Sequence, residues 1–277
     1  MTHELDHWLT RYELAQKLAQ QAGQVALQYF DRPLDVEWKD NQSPVTIADR
    51  RAEETLRHVL LDAYPEDGFL GEESGAQPGR SGYRWIVDPI DGTRNFVRGI
   101  PLWGTLIGLE YRGEVVAGVA YLPALGQLFH ALKGAGAYRD GRRLRVSRVD
   151  AWQESQIFYS GVRWFLQSAA RQAFIELCAR TQRQRGIGDC YGFLLVAQGS
   201  GEAMVEYGVH PWDVAALKII VEEAGGKCTD WTGRPDIARP DIVASNGLMH
   251  ERLLAVLRDY WSGPFHPERI ENEAAIT

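Results

Sequence analysis

The segment Trp85-Ile86-Val87-Asp88-Pro89-Ile90-Asp91-Gly92-Thr93 constrains the fold of this chain more than any other. Tyr83 to Val87 reads as a short strand that runs directly into two carboxylates separated by a proline turn. Acids held this close repel each other: two unit charges ~4 Å apart cost roughly 4 kcal/mol at an effective dielectric near 20. If further acids converge on the same strand end, bound cations are required. Gly92 and Thr93 then open a polar-to-apolar stretch, Arg94-Asn95-Phe96-Val97, that fits the start of a helix. Backbone amides at a helix start bind anions, and glycine lets a phosphate approach closely. Taken alone, an Asp-Pro-x-Asp-Gly sequence is also an ordinary turn.

Further acids stand at the ends of other elements. Glu72 follows the apolar Phe69-Leu70-Gly71. Asp213 opens a helix that runs to Ala224 and that Gly225-Gly226 terminate. Asp49 falls in the first turn of a helix read from Thr46 to about Ala63, at capping distance from Thr46. Plain alternatives exist for each: an N-cap for Asp213, a capping partner for Asp49, a solvated turn residue for Glu72. An aspartate can cap a helix and hold a metal at once. Hard oxygen ligands select a hard ion, and Mg2+ keeps some waters and works with phosphates. Two or more such ions polarise a phosphoryl group and activate a water. A Thr93 hydroxyl so placed passes a hydrogen bond between a water nucleophile and Asp49.

Composition narrows the class. The 277 residues carry a formal net charge of −7, which does not suit a nucleic-acid binder. No apolar run approaches the ~18 residues of a membrane span. Three cysteines without a CxxC, and an N-terminus lacking a basic patch and apolar run, lead to the expectation of a reducing, cytoplasmic setting. An amphipathic helix is expected from about Leu5 to Phe30, with Leu9, Leu14, Leu18, Val25 and Tyr29 at helical spacing. The second helix should bury Ala52, Leu56, Val59 and Leu60. Strands are expected over 102–110, 115–121 and 128–132, joined by turns at Arg112-Gly113 and Leu125-Gly126. Residues 134–141 read as a turn-rich connection. From about residue 155, strands (157–159, 203–206, 242–244) alternate with helical segments (168–180, 193–198, 213–224, 250–257). The expectation is a single domain over residues 1–262. Its first half, to about 150, has an antiparallel sheet, and its second half, 151–262, has a mixed sheet. Residues 263–277 form a polar tail.

Three motifs occur in order: Gly71-Glu72-Glu73-Ser74, the long Asp88-to-Thr93 segment with the strand before it, and Trp212-Asp213-Val214-Ala215-Ala216. Together they resemble the signatures of the inositol monophosphatase superfamily, from about residue 10 to 260. The resemblance implies an α/β (α+β) fold, a layered αβαβα sandwich of the inositol monophosphatase and sugar phosphatase type, usually a homodimer. It implies Mg2+, two or three ions. Glu72, Asp88 and the Ile90 carbonyl are then ligands of one ion, and Asp88, Asp91 and Asp213 of a second; Glu72 also touches a third, weaker one. Asp49 and Thr93 match the pair that orients the attacking water, with Glu72 beside it, and Gly92 and Thr93 meet the phosphate. Lys39 is near a position where the family often has a lysine, although it also reads as a solvated loop residue. Lithium sensitivity is a family tendency. No Ser or Cys nucleophile stands in the motif, so no phosphoenzyme is needed.

The second half sets the substrate within such a family. Gly188-Asp189-Cys190-Tyr191-Gly192 with Leu194-Leu195-Val196-Ala197, Pro101 to Ile107, and Thr229-Asp230-Trp231-Thr232-Gly233 resemble the histidinol-phosphatase branch. Inositol monophosphatases tend to carry small neutral residues where Asp189 stands. Asp189 and Glu206 can pair with the ammonium of histidinol phosphate, and Arg185 matches a position that contacts substrate in the family. Asp189 as a helix cap and Arg185 as a solvated charge remain open. Arg94-Asn95-Phe96 reads partly like the inositol-phosphate branch. His210, before Trp212-Asp213, reads as structural. The expected activity is Mg2+-dependent hydrolysis of L-histidinol phosphate. The alternatives are an inositol-1-monophosphatase or broader sugar or nucleotide phosphatase, and a non-catalytic regulatory binding protein on the same fold.

Overall fold

A computed structural model describes residues 2–33, 35–39, 44–166 and 170–260. Most of the polar stretch after Lys39, the expected helix start at Ser168 and the tail from 263 onward fall outside these residues.

The long N-terminal apolar stripe forms α1 (Thr2–Leu27). Its inner face is mostly alanine: Ala15, Leu18, Ala19, Ala22 and Ala26 are buried, whereas Leu9 is exposed. Small residues bring the helix close to the sheet beneath. A Cβ added at Gly23 would stand 2.6 Å from the Tyr121 ring. The strands β1 (Glu37–Trp38) and β2 (Pro44–Val45) pair as a small ribbon ahead of α2 (Ile47–Ala63). Thr46 caps α2, and Asp49 returns the bond to the Thr46 amide, completing a capping box. Ala52, Leu56 and Leu60 face inward as the spacing requires, and Val59 packs at the edge of that cluster.

Next come β3 (Gly68–Gly71), β4 (Gly75–Gln77), β5 (Tyr83–Asp91), α3 (Thr93–Val97), β6 (Gly104–Tyr111), β7 (Glu114–Leu122), β8 (Gln127–Leu132), β9 (Gly136–Arg139) and β10 (Arg142–Arg143). They form one eight-stranded sheet in the order β10-β9-β8-β7-β6-β5-β3-β4. All neighbours are antiparallel except β3 and β5, which run parallel. The turn at Arg112-Gly113 has both residues at positive φ, as a tight hairpin of right-twisted strands demands. Residues 134–141, read as a connection, contain β9, whose amides and carbonyls complete the edge of the sheet.

The second half contributes a 3-10 turn at Trp152–Glu154, β11 (Gln156–Tyr159), α4 (Val162–Leu166), α5 (Arg171–Arg180), β12 (Arg183–Arg185), α6 (Asp189–Ala197) and β13 (Ala203–Tyr207). It continues with α7 (Pro211–Glu223), β14 (Lys227–Thr229), β15 (Asp241–Ser245) and α8 (His250–Tyr260). Its sheet runs β12-β11-β13-β15-β14 and is mixed, with β11 parallel to both neighbours. The α6 helix begins four residues earlier than the Phe193 expected from apolar spacing, at Asp189.

Three apolar clusters stack these parts into αβαβα layers. One joins α1 and α2 to the outer face of the large sheet, through Leu18, Leu56, Trp85 and Trp103. A second joins the other face of that sheet to the small sheet through α6 and α7, with Leu106, Phe129, Leu194, Leu217, Met204 and Ala244 in one continuous core. The third packs α5 and α8 on the far face of the small sheet around Phe174, Trp231, Val243 and Leu253. Among the described residues no helix is long and apolar enough to cross a membrane.

Candidate active site

Strand β5 does not stop at Asp88, as the proline turn suggested. It continues to Asp91 with a shift in register between the two acids. Proline has no amide to give to a ladder, and a bulge is where a strand tolerates it. The shift turns Asp88 and Asp91 toward the same space. There they meet Asp213 from the first turn of α7, and one carboxylate oxygen of each lies within 4.8 Å of the others. Asp213 is not the N-cap of α7. That position is His210, and Asp213 stands three residues on, with Oδ2 accepting the His210 amide at 2.7 Å. The His210 ring stacks on Trp212.

Asp88 is held by the amide of Ile90, which donates to Oδ1 at 2.9 Å. Asp91 is held from the other half of the molecule, where the Cys190 amide donates to Oδ2. Burial first, then repulsion from Glu72, Asp91, Asp213 and Asp49, pushes the Asp88 carboxyl well above the usual range. Asp91 rises well above it too, through burial and then repulsion from Asp189 and Asp213. Buried acids that raise one another in this way are matched by a divalent cation, and their all-oxygen donor set fits a hard ion. Asp88, Asp91 and Asp213 are the residues that would hold it.

Glu72 follows β3 and interacts with Asp213 and Asp49, and burial raises its carboxyl. Lys39 is not a solvated loop residue. Its Nζ donates to Glu72 Oε1 at 2.8 Å and to Glu73 Oε1 at 2.6 Å. On the other side Thr93 Oγ1 lies 3.0 Å from the Ile90 carbonyl oxygen and 3.3 Å from Asp49 Oδ1. The Thr46 amide and hydroxyl both donate to Asp49 Oδ2. Asp49 therefore caps α2 with one oxygen and faces Thr93 with the other. Burial, partly offset by the Thr46 bonds, brings its carboxyl up to about 6. Gly92 joins β5 to α3 at φ 87, where a side chain is strained and a Cβ would stand 3.1 Å from the Leu102 carbonyl.

Asp189 and Glu206 extend the acidic wall away from Asp88. Asp189 opens α6 at φ 53, and its Oδ2 accepts from Asn95 Nδ2 at 2.9 Å. Burial and then Asp213 raise it to about 6, against the pull of Arg94. Glu206, on β13, is raised well above its usual range by burial and by Asp189, Asp91 and Asp213. Its Oε2 is buried without a hydrogen-bond partner among the described residues. Arg185 is not brought to this cluster. It is exposed on the edge strand β12, and its guanidinium donates to the Gln184 carbonyl at 2.9 Å.

Two positioning residues escaped the sequence. Glu53, on the buried face of α2, accepts the amides of Glu73 at 2.9 Å and Ser74 at 2.7 Å, fixing the turn that carries Glu72. Its signal was position alone: it follows Asp49 by one helical turn and lies between Ala52 and Leu56. Asn95 ties α3 to Asp189 and to the Leu102 carbonyl. It had stood out only as part of a family signature.

This chain belongs to the inositol monophosphatase family, whose profile matches residues 8–262. It is a phosphoric monoester hydrolase. It is 41% identical over 247 residues to the histidinol-phosphatase of Chlorobaculum parvum, covering 88% of this chain and 95% of that protein. With the histidinol-phosphatase of Mycobacterium tuberculosis it shares 39% identity over 250 residues, 88% of this chain and 96% of that protein. Among solved structures, the IMPase of Thermotoga maritima superposes with a TM-score of 0.82 at 30% identity, covering 95% of this chain and 99% of that one. The αβαβα architecture and the phosphatase class read from the motifs are both borne out.

Proposed function

We propose that this protein is a Mg2+-dependent histidinol-phosphatase, hydrolysing L-histidinol phosphate to L-histidinol and phosphate. The observation that carries the substrate is the pair Asp189 and Glu206. Two acids lie beyond the three best placed for a metal, and Glu206 Oε2 is buried with no partner among the described residues. A leaving group that brings an ammonium supplies one. A charge-assisted hydrogen bond contributes about 1.5–3 kcal/mol, enough to bias choice by tenfold or more. The two histidinol-phosphatase relatives support the same reading.

Bound at Asp88, Asp91 and Asp213, with Glu72 and the Ile90 carbonyl as further ligands, Mg2+ ions would neutralise the acids and polarise the phosphoryl oxygens. The chain's own groups do the positioning. Thr93 Oγ1 would accept a hydrogen bond from the attacking water while its own hydroxyl donates to Asp49 Oδ1. Burial raises the Asp49 carboxyl to about 6, making it a stronger hydrogen-bond acceptor than an exposed aspartate, which suits that role. Lys39 Nζ holds Glu72 through its Oε1 at 2.8 Å.

Phosphate release from histidinol phosphate, inositol 1-phosphate, fructose 1,6-bisphosphate and adenosine 3′,5′-bisphosphate tests the proposal. Asp88→Asn is expected to abolish turnover while the circular dichroism spectrum is unchanged; near-normal release would refute the site. Asp189→Ala should reduce kcat/KM at least tenfold on histidinol phosphate only, and an equal loss on every substrate would sink the substrate assignment. An inositol-phosphate preference is the second reading, favoured by Asn95-Phe96 and by the Thermotoga maritima IMPase. Absence of Mg2+-stimulated release from every substrate would favour a binding protein.

A further inference from the structure

The chain is acidic overall, yet residues 139–148 contain five arginines and one aspartate. This segment links the two sheets. The amides of Leu144 and Val146 donate to the Ala137 and Ala224 carbonyls, at 2.8 and 3.1 Å, and pin it on both sides. Leu144 is buried by that arrangement, and Arg143, Arg145 and Arg148 are left exposed. The three arginines line a groove of about 480 Å3, with Leu144, Val146 and Leu248 among the apolar residues and the last turn of α7 along one side.

None of the three guanidinium groups has a hydrogen-bond or ion-pair partner among the described residues. The acid in the groove, Glu223, is already engaged: its oxygens accept the amides of Gly134 at 2.8 Å and Gly136 at 2.7 Å. The groove thus presents an excess of fixed, unpartnered positive charge over an apolar floor. Its volume lies in the range of small-molecule sites. Two residues of extended chain separate Arg143 from Arg145 by roughly 7 Å. Three guanidinium charges match the three or more negative charges of a diphosphate or triphosphate better than the two of a single phosphate monoester.

We propose that this groove is a binding site for a small anion carrying a diphosphate or triphosphate, separate from the active site. Asp213 and Glu223 stand at opposite ends of α7, about 15 Å apart at 1.5 Å per residue. A ligand at one end is therefore clear of the carboxylates and joined to them by a rigid helix. The source of the phosphate chain is either inorganic or a nucleotide, and the apolar floor accommodates the latter. Among the described residues no aromatic side chain lines the groove to stack a row of bases, which disfavours single-stranded nucleic acid.

Calorimetric titration of the full chain in a chelator tests this, because metal-free active-site acids repel anions. Inorganic tripolyphosphate is expected to bind saturably at one site per chain. Affinity should fall at least tenfold in the Arg143→Gln/Arg145→Gln/Arg148→Gln variant, fall measurably in Arg145→Gln, and be unchanged in Asp88→Asn. A nucleoside triphosphate binding more tightly than tripolyphosphate would identify a nucleotide as the source. The last turn of α7 has no basic residue, so the arginines also complement the negative end of that helix. Unchanged tripolyphosphate binding in the triple variant, no saturable binding by wild type, or a lowered Tm as the only effect would each overturn the proposal in favour of that structural role. Tighter binding of a single-stranded oligonucleotide, growing with its length, would overturn it in favour of nucleic acid.

Discussion

Glu53 shows how much of the site depends on residues that never meet the substrate. Its carboxylate satisfies two amides of the turn bearing Glu72, and Gly71 leaves room for it, since a Cβ there would stand 2.6 Å from Glu53 Oε1. In Glu53→Ala both amides lose their acceptor. These amides are only partly buried, so water takes up part of the loss and the cost is about 1 kcal/mol, but the Glu72 carboxylate is freed from its geometry. The Mg2+ concentration for half-maximal activity is expected to rise at least tenfold, with kcat at saturating metal within about threefold of wild type. Phosphate release titrated with Mg2+ checks this, and an unshifted titration would show that the turn holds itself. The contrast with Asp88 explains what sequence discloses at this scale. Asp88 and Asp91 announce themselves because their chemistry is packed into six consecutive residues. Glu53 lies in a charged helix, Ala52-Glu53-Glu54-Thr55, where one acid looks like the next. Lys39 is 33 residues from Glu72, and no local pattern marks that contact.

At the scale of elements, two paired glycines seat the helix that carries Asp213. Gly108 on β6 and Gly118 on β7 are direct partners in the ladder. A Cβ on Gly108 would stand 2.8 Å from Ala215 Cβ, and one on Gly118 would stand 2.4 Å from the Ala216 carbonyl oxygen. Glycine within a strand marks the close approach of another backbone, and here that backbone is α7. Gly118→Val should destabilise by about 1–3 kcal/mol through overpacking. It should also push α7, and Asp213 with it, away from Asp88 and Asp91. The expected result is a lower Tm together with weaker Mg2+ activation, whereas Gly113→Ala in an exposed hairpin turn should change Tm modestly and leave activation alone. A lower Tm with an unchanged Mg2+ titration would mean that α7 absorbs the added bulk without moving its first turn. Most elements were legible from periodicity, and α2 from its cap. Strand β5 was cut short because a proline ordinarily ends a strand, and only its pairing with β6 shows the bulge that carries it on. The start of α6 was missed because Asp189 and Cys190 precede the apolar run and are fixed by contacts with β5 and α3.

The whole molecule closes around the acids. Asp49, Glu72, Asp88 and Asp91 come from the first half, Asp189, Glu206 and Asp213 from the second, and the α6–α7 core between the sheets is continuous. The site therefore belongs to the joint between the halves, and its electrostatics act on the stability of the entire fold. Without metal, the folded state raises Asp49 and Asp189 from 3.8 to about 6, and Asp88 and Asp91 well above 3.8. Carboxyls with raised folded values bind more protons when folded than when unfolded. Their contribution is fully present below the unfolded value near 4 and is lost as pH rises through the folded values. In a chelator, then, Tm should fall as pH is raised from about 5 to about 8. A divalent cation binds the ionised acids of the folded state, stabilises by mass action and reverses the trend. With saturating Mg2+ present the same curve should flatten, so that the gap between the two conditions is widest at the alkaline end. Scanning calorimetry at four or five pH values, with and without Mg2+, measures both curves. Parallel curves would mean that the acids are already compensated within the protein; a widening gap would mean that the fold carries a charge deficit that the cation fills.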